Sequence, residues 1–153
     1  MRIPLAVLHL LALGIGLGAV FVRGRSANRL RHSADSLRAT FAADNLWGLA
    51  AILWISTGLW RAFGSYEKSN AYYWSNHIFL AKMGFLLTII GLEIWPAVTL
   101  VRWRRTAAKG PIDPTELASR GRLIARISDV QLLLLIAMVI AAAMMARGYG
   151  ARP

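Results

Sequence analysis

Lys82 and Glu93 stand inside a continuous apolar run, "SNHIFLAKMGFLLTIIGLEIWPAVTLVRWRR", residues 75–105. An ion at the centre of a membrane span costs ~2.5–3.5 kcal/mol on insertion scales, so each demands a partner or a task. Eleven residues, at about 100° each, bring the two to nearly one helix face but roughly 16 Å apart along the axis. They cannot pair with each other, and each requires its own partner within a bundle. His9 lies in another apolar run. An imidazole there is either hydrogen-bonded to a neighbouring helix or a ligand to haem iron or another metal. Met144 and Met145, at the end of the last apolar run, offer thioethers. Arg61 offers a guanidinium, which pairs bidentately with carboxylates. His32, among arginines, reads as solvated, and His77 as interfacial.

Other chemistries find no footing. The chain has no cysteine, which removes disulfides, thiolate metal sites, iron–sulfur clusters and covalent c-type haem. It has no H-x-x-x-H or H-E-x-x-H pair, no phosphate loop and no G-x-S-x-G, so zinc-enzyme, kinase and hydrolase readings lack support.

The elements that must position these side chains follow from composition. Of 153 residues, 57% are hydrophobic and 16% charged, and the mean hydropathy is +0.50. That is too little polar surface for a soluble domain of this size. The net charge of +11 is distributed between the apolar runs, which is a topology signal rather than a nucleic-acid footprint. Apolar runs over about 3–22, 41–63, 78–101 and 130–146 predict four membrane helices in a single all-α domain spanning 1–153. The last run is short but can extend back through Leu123–Ile127 into a helix starting at Thr115, after the breakers Gly110, Pro111 and Pro114. Arg31 and Asp35, spaced i,i+4, suggest an early start for the second helix. The first run reads as a span rather than a cleaved signal, because its positive charge follows the apolar stretch.

Loops 23–41 and 102–129 carry twelve basic residues, against five at the other end: Arg2, Arg61, Lys68, Arg147 and Arg152. The positive-inside rule then places both loops in the cytoplasm and both termini in the periplasm of a bacterial inner membrane. Anionic lipid accounts for the arginines without a protein partner. Trp60, Tyr66, Tyr72, Tyr73 and Trp74 mark the outer interface and Trp103 the inner one.

Depth, at ~1.5 Å per residue, sorts the polar groups into two layers. His9, Lys82, Arg61, Met144 and Met145 form an outer layer. Asp44 and Asp129 lie at the inner boundary, with Glu93 roughly 12 Å above it on the same rise. Asp44, Trp47, Ala51, Trp54, Gly58 and Arg61 recur at three- and four-residue steps and form one face of the second helix. Gly14 and Gly18 make a G-x-x-x-G in the first, a pattern that permits close helix contact.

The stretches "ADNLWGLAAILWISTGLWRAF", "EKSNAYYWSNHIFLAKMGFLL" and "IWPAVTLVRWRR" resemble the four-span bacterial membrane family catalogued as domain of unknown function 2214. The resemblance covers most of the chain from His9 onward and carries no biochemical role with it. A fainter one runs to HemJ-type protoporphyrinogen oxidases. His9 is similar to a histidine early in their first span, and "NHIFLAK", ending in Lys82, to the approach to their lysine. That resemblance implies haem b and oxidoreductase chemistry. The chain departs from it at "GLEIWP", where Glu93 stands in the region that carries a further histidine in that type.

Three functions remain open at this level. One is a haem- or porphyrin-binding membrane protein, with His9 on the iron, Met144, Met145 or Lys82 opposite or steering a propionate, and Arg61 on a second propionate. Another is an accessory or assembly subunit of a larger membrane complex, or a homo-oligomer, with its polar layers as buried glue. The third is a proton- or ion-coupled carrier with Glu93, Asp44 and Lys82 as relay groups.

Overall fold

A computed structural model describes residues 2–64 and 76–150. Among the described residues there are four helices: α1 Arg2–Arg29, α2 Ser36–Phe63, α3 His77–Ala107 and α4 Pro114–Ala146. All four are long and apolar enough to cross a membrane. Each overruns its apolar stretch, because the chain stays helical through the flanking arginines. Arg23, Arg25 and Arg29, expected in a loop, therefore belong to the last two turns of α1. Tyr66, Lys68, Tyr72, Tyr73 and Trp74 lie outside the described residues.

Local chemistry sets the boundaries. Asn76 caps α3 by accepting from the amides of Ile78 at 2.9 Å and Phe79 at 3.2 Å. Asp113 caps α4, accepting from Thr115 N–H, with Pro114 in the first turn, where its missing N–H costs nothing. Between α1 and α2 the Arg31–Asp35 pair does not form. Asp35 instead accepts from Ser33 Oγ at 3.0 Å, Arg31 Nε donates to the Asn28 carbonyl, and α2 begins at Ser36. A local side chain–backbone turn outcompetes an exposed ion pair that is worth only a few tenths of a kcal/mol.

The helices form a ring in the order α2–α1–α4–α3: α1 packs along α2 and α4, α3 packs along α4, and the backbones of α3 and α2 come close at few points. Two short turns, 30–35 and 108–113, lie at one end, here the hairpin end; the chain termini lie at the other, the terminal end. The interior holds two apolar clusters. One, built on Val20, Trp47, Trp54, Leu86, Ile89, Leu135 and Met138, occupies the middle of the bundle. The other, built on Leu30, Leu100, Trp103, Leu117 and Ile124, closes the hairpin end. Trp103 is thus core rather than interfacial belt: it is 1% exposed and donates Nε1–H to Glu116 at 3.1 Å. Outward, Ile52, Leu87, Ile94 and Leu133 are each about two-thirds exposed, the surface a lipid environment covers.

Close approach depends on glycines other than the G-x-x-x-G pair. A Cβ on Gly14 or Gly18 would meet nothing within 4 Å. On Gly121 it would sit 2.6 Å from the Ala27 carbonyl oxygen, and on Gly24 3.1 Å from Ser128 Cβ, so the tight crossing is α1 against α4. Gly121→Val should therefore destabilise the bundle by ~1–3 kcal/mol, the usual overpacking cost. Gly14→Ala and Gly18→Ala should leave it unchanged or slightly more stable through helix propensity. Thermal unfolding in detergent compares the three; equal losses would contradict the crossing.

Candidate functional site

Two polar constellations lie inside the bundle, and the inner one is organised by a residue that the span boundaries hid. Arg23 is fully buried on α1. A guanidinium has five N–H donors and no acceptor. Here Nε donates to Ser128 Oγ at 3.2 Å, and Nη1 to Asp44 Oδ1 at 3.0 Å and Glu93 Oε1 at 2.6 Å. Nη2 donates to Glu93 Oε2 at 2.9 Å and Gln131 Oε1 at 2.7 Å. All five donors are used, across α2, α3 and α4. The contact with Glu93 is the bidentate fork that arginine and carboxylate form best.

The acceptors are held in turn. Glu93 Oε2 also accepts from Trp47 Nε1 at 2.9 Å and from Gln131 Nε2 at 2.8 Å; that amide also reaches the Ile89 carbonyl. Asp44 Oδ2 accepts from Arg104 Nη2 at 2.9 Å, and the same nitrogen donates to the Phe41 carbonyl. Two guanidiniums and two carboxylates make the cluster electrically neutral. Among the described residues no buried side-chain nitrogen or oxygen lacks a partner. A neutral, hydrogen-bonded network of this kind fastens the four helices to one another.

Asp44 and Glu93 therefore meet in one site, whereas Asp129, assigned to the same layer, does not join them. It lies on the exposed face of α4, in a shallow recess with Arg25, Arg31, Arg122 and Arg126. Arg23, Ser128 and Gln131 are missing from the sequence-level site because the apolar run of α1 stops at Val22. Their signal is periodicity: Ala12, Gly16, Ala19, Val20, Arg23 and Ala27 continue one stripe, as do Gly121, Ile124, Ser128, Gln131 and Leu135 on α4.

The second constellation is a cavity of about 540 Å³ at the terminal end, lined by all four helices. His9 on α1, Arg61 on α2, Lys82 on α3 and Met145 on α4 all border it, together with Trp54, Phe79, Met83 and Met138. Met144 does not; it faces outward, 41% exposed. Thr57 Oγ1 donates to the Leu53 carbonyl at 2.6 Å and lies 3.0 Å from His9 Nδ1, within hydrogen-bond distance. The ring lies nearly parallel to Trp54, centroids 6.1 Å apart, and a Cβ on Gly58 would fall 2.9 Å from His9 Cε1. Among the described lining residues none is acidic. The expected α2 stripe is realised, since Asp44, Trp47, Ala51, Trp54, Gly58 and Arg61 all turn inward, from the hub at one end to the cavity at the other. His32 and His77 are both exposed.

Arg23→Gln should be the most damaging of the hub substitutions. Removing one partner of a buried ion pair leaves an uncompensated charge, at ~3–5 kcal/mol. Arg104→Gln, at the half-exposed edge, should cost clearly less. In the double variant Arg23→Gln/Glu93→Gln the two losses should fail to add, because the second substitution removes the orphaned carboxylate. Unfolding midpoints in detergent give all three comparisons, and full additivity would refute the coupling.

No curated protein and no solved structure matches the chain, so the protoporphyrinogen-oxidase likeness finds no support there. A family model does match, over residues 1–150, nearly the whole chain. With four apolar helices around a saturated polar centre, the chain belongs to the predicted membrane protein family DUF2214.

Proposed function

We propose that the terminal-end cavity binds an amphipathic anion, with haem b or another porphyrin as the occupant its donors suit best. The observation that carries this reading is the lining itself: a largely apolar chamber of about 540 Å³ that Arg61, Lys82 and His9 border together. Its volume falls within the ~300–1,000 Å³ of small-molecule sites. A porphyrin presents a flat apolar body and carboxylate edges. Arg61 and Lys82 would take the propionates, Trp54 and Phe79 would face the macrocycle, and His9 would offer Nε2 to iron. Thr57, at hydrogen-bond distance from His9 Nδ1, would orient the ring from behind, as the partners of metal-bound histidines do. Met83, Met138 and Met145 supply thioethers; Met144, facing outward, is withdrawn from the set. When bound, an iron porphyrin would supply one-electron chemistry, and the surrounding apolar side chains would keep water from it.

The carrier reading loses ground. Its three relay groups are split between two sites, and its two carboxylates are engaged by Arg23. We further propose a bacterial inner membrane location with both termini periplasmic. Even with Arg23 and Arg104 drawn into the hub, ten basic residues remain in the loop segments at the hairpin end, against six elsewhere.

Haem or protoporphyrin added to the purified protein should give a saturable Soret shift. His9→Ala should abolish the iron-dependent part. Arg61→Gln and Lys82→Gln should each weaken binding by roughly ten- to a hundredfold, the value of a charge-assisted hydrogen bond. Gly58→Val, which displaces His9, should mimic His9→Ala. A protein that takes up no porphyrin, or a His9→Ala variant with an unchanged haem spectrum, would overturn the assignment; the first outcome would favour the assembly-subunit reading. For topology, cysteines at Ser36 and Ser119 should resist labelling from the periplasm, and labelling at either would reverse the orientation.

A further inference from the structure

At the hairpin end, far from the cavity, α1 and α4 flank a second recess of about 190 Å³. Arg25, Asn28 and Arg31 contribute from one side, Arg122, Arg126 and Asp129 from the other, and Gly24 and Ala125 complete its lining. We propose that this recess is a discrete binding site for a phosphate ester, the chemistry shared by an anionic lipid headgroup and a free organic phosphate.

Charge is the first argument. Four guanidiniums surround one carboxylate, an unbalanced +3 at formal charge, and none of the four arginines forms an ion pair among the described residues. Arg120, by contrast, pairs with Glu116 on another face of α4, so arginines here do find carboxylates where the fold supplies them. Guanidiniums are the groups best matched to phosphate oxygens, through paired N–H donors.

Shape is the second. Gly24 approaches α4 so closely that a Cβ would lie 3.1 Å from Ser128 Cβ. With only Gly24 and Ala125 between the two rows, the arginines border a depression rather than lying on a flat face. Two of them are already oriented. Arg25 lies over the Phe21 ring, 5.1 Å from its centroid, and Arg31 Nε donates to the Asn28 carbonyl at 3.3 Å. At 190 Å³ the recess falls short of the ~300 Å³ at the lower end of drug-sized sites, and it suits a headgroup better than a whole organic ligand.

Depth is the third. Arg25 follows the last apolar residue of the α1 run, Val22, by roughly 5 Å, and Arg126 precedes Val130 on α4 by roughly 6 Å. That is the layer in which lipid phosphates lie, and basic pockets between membrane helices hold such headgroups. Asp129 refines the ligand. It makes no hydrogen bond or ion pair among the described residues, and its Oδ1 would lie 3.8 Å from a Cβ on Gly24. A carboxylate among guanidiniums disfavours a bare anion and favours one with a hydroxyl or ammonium donor beside its phosphate.

Native mass spectrometry from detergent, with phosphatidylglycerol, phosphatidylcholine or inorganic phosphate added, tests the site. The wild-type protein should retain one phosphatidylglycerol in preference to phosphatidylcholine. Arg122→Gln/Arg126→Gln should weaken retention roughly 25-fold, about fivefold per arginine. The control Arg102→Gln/Arg105→Gln, which removes the same charge from exposed positions on α3, should leave it unchanged. Displacement of the lipid by excess inorganic phosphate would assign recognition to the phosphate alone; persistence would assign it to the headgroup as part of a lipid. Equal losses from both double variants would reduce the effect to diffuse charge and overturn the proposal, as would no loss from the recess pair in a protein that remains monodisperse.

Discussion

The five N–H groups of Arg23 and the acceptors that meet them constrain the rest of this bundle. A guanidinium withdrawn from water must use every donor, or the unsatisfied remainder costs more than the burial returns. Five acceptors on three other helices satisfy it. The arrangement holds only if α1, α2, α3 and α4 keep one axial register. Sliding any helix by a turn, about 5.4 Å, would break its share of the network. Hydrophobic burial supplies little of that specificity in a bilayer, because lipid chains are as apolar as leucine side chains; the hub adds its polar register to the close packing of α1 against α4.

The hub also accounts for the uneven ring. The backbones of α2 and α3 come close at few points, yet the helices are joined through Trp47–Glu93 and Arg104–Asp44 and through the Phe63–Phe79 ring contact. Long side chains thus hold the seam across which the backbones stand apart. Above the hub, Trp54, Leu86 and Met138 close the middle of the bundle. Beyond them the helices leave space between them at the terminal end rather than filling it, and His9, Arg61 and Lys82 border it. A bundle pinned at one level and packed at the next can tolerate a chamber at its far end without losing register.

Neutrality distinguishes the two interior sites. At the hub, two cations and two carboxylates cancel, and the donors and acceptors are matched. The cavity is instead bordered by Arg61, Lys82 and His9 among mainly apolar side chains. The first pattern is that of a fastening, and the second is the one on which the proposed ligand site is built. Both are carried by the same face of α2, which runs from Asp44 through Trp47 and Trp54 to Gly58 and Arg61.

Four helices, their all-α class and the inward face of α2 could be read from residue order, because hydropathy and helical periodicity are properties of a single segment. The same holds for the need of Lys82 and Glu93 for partners, since the cost of an ion in hydrocarbon does not depend on which helix lies opposite. Identity of the partner does. Arg23 read as a loop residue because hydropathy falls at Val22, and only the crossing of α1 with α4 shows that its side chain points into the bundle beside Ser128 and Gln131. Asp129 is only a few residues from both, but its place on the α4 helix turns it outward. Met144 and Met145 are adjacent in sequence, yet a 100° step sends one to lipid and the other to the cavity. Residue order shows which groups are too polar to stand alone in a membrane; the assembled bundle settles which of them meet, because rotation and register between helices are set by contacts that no single helix contains.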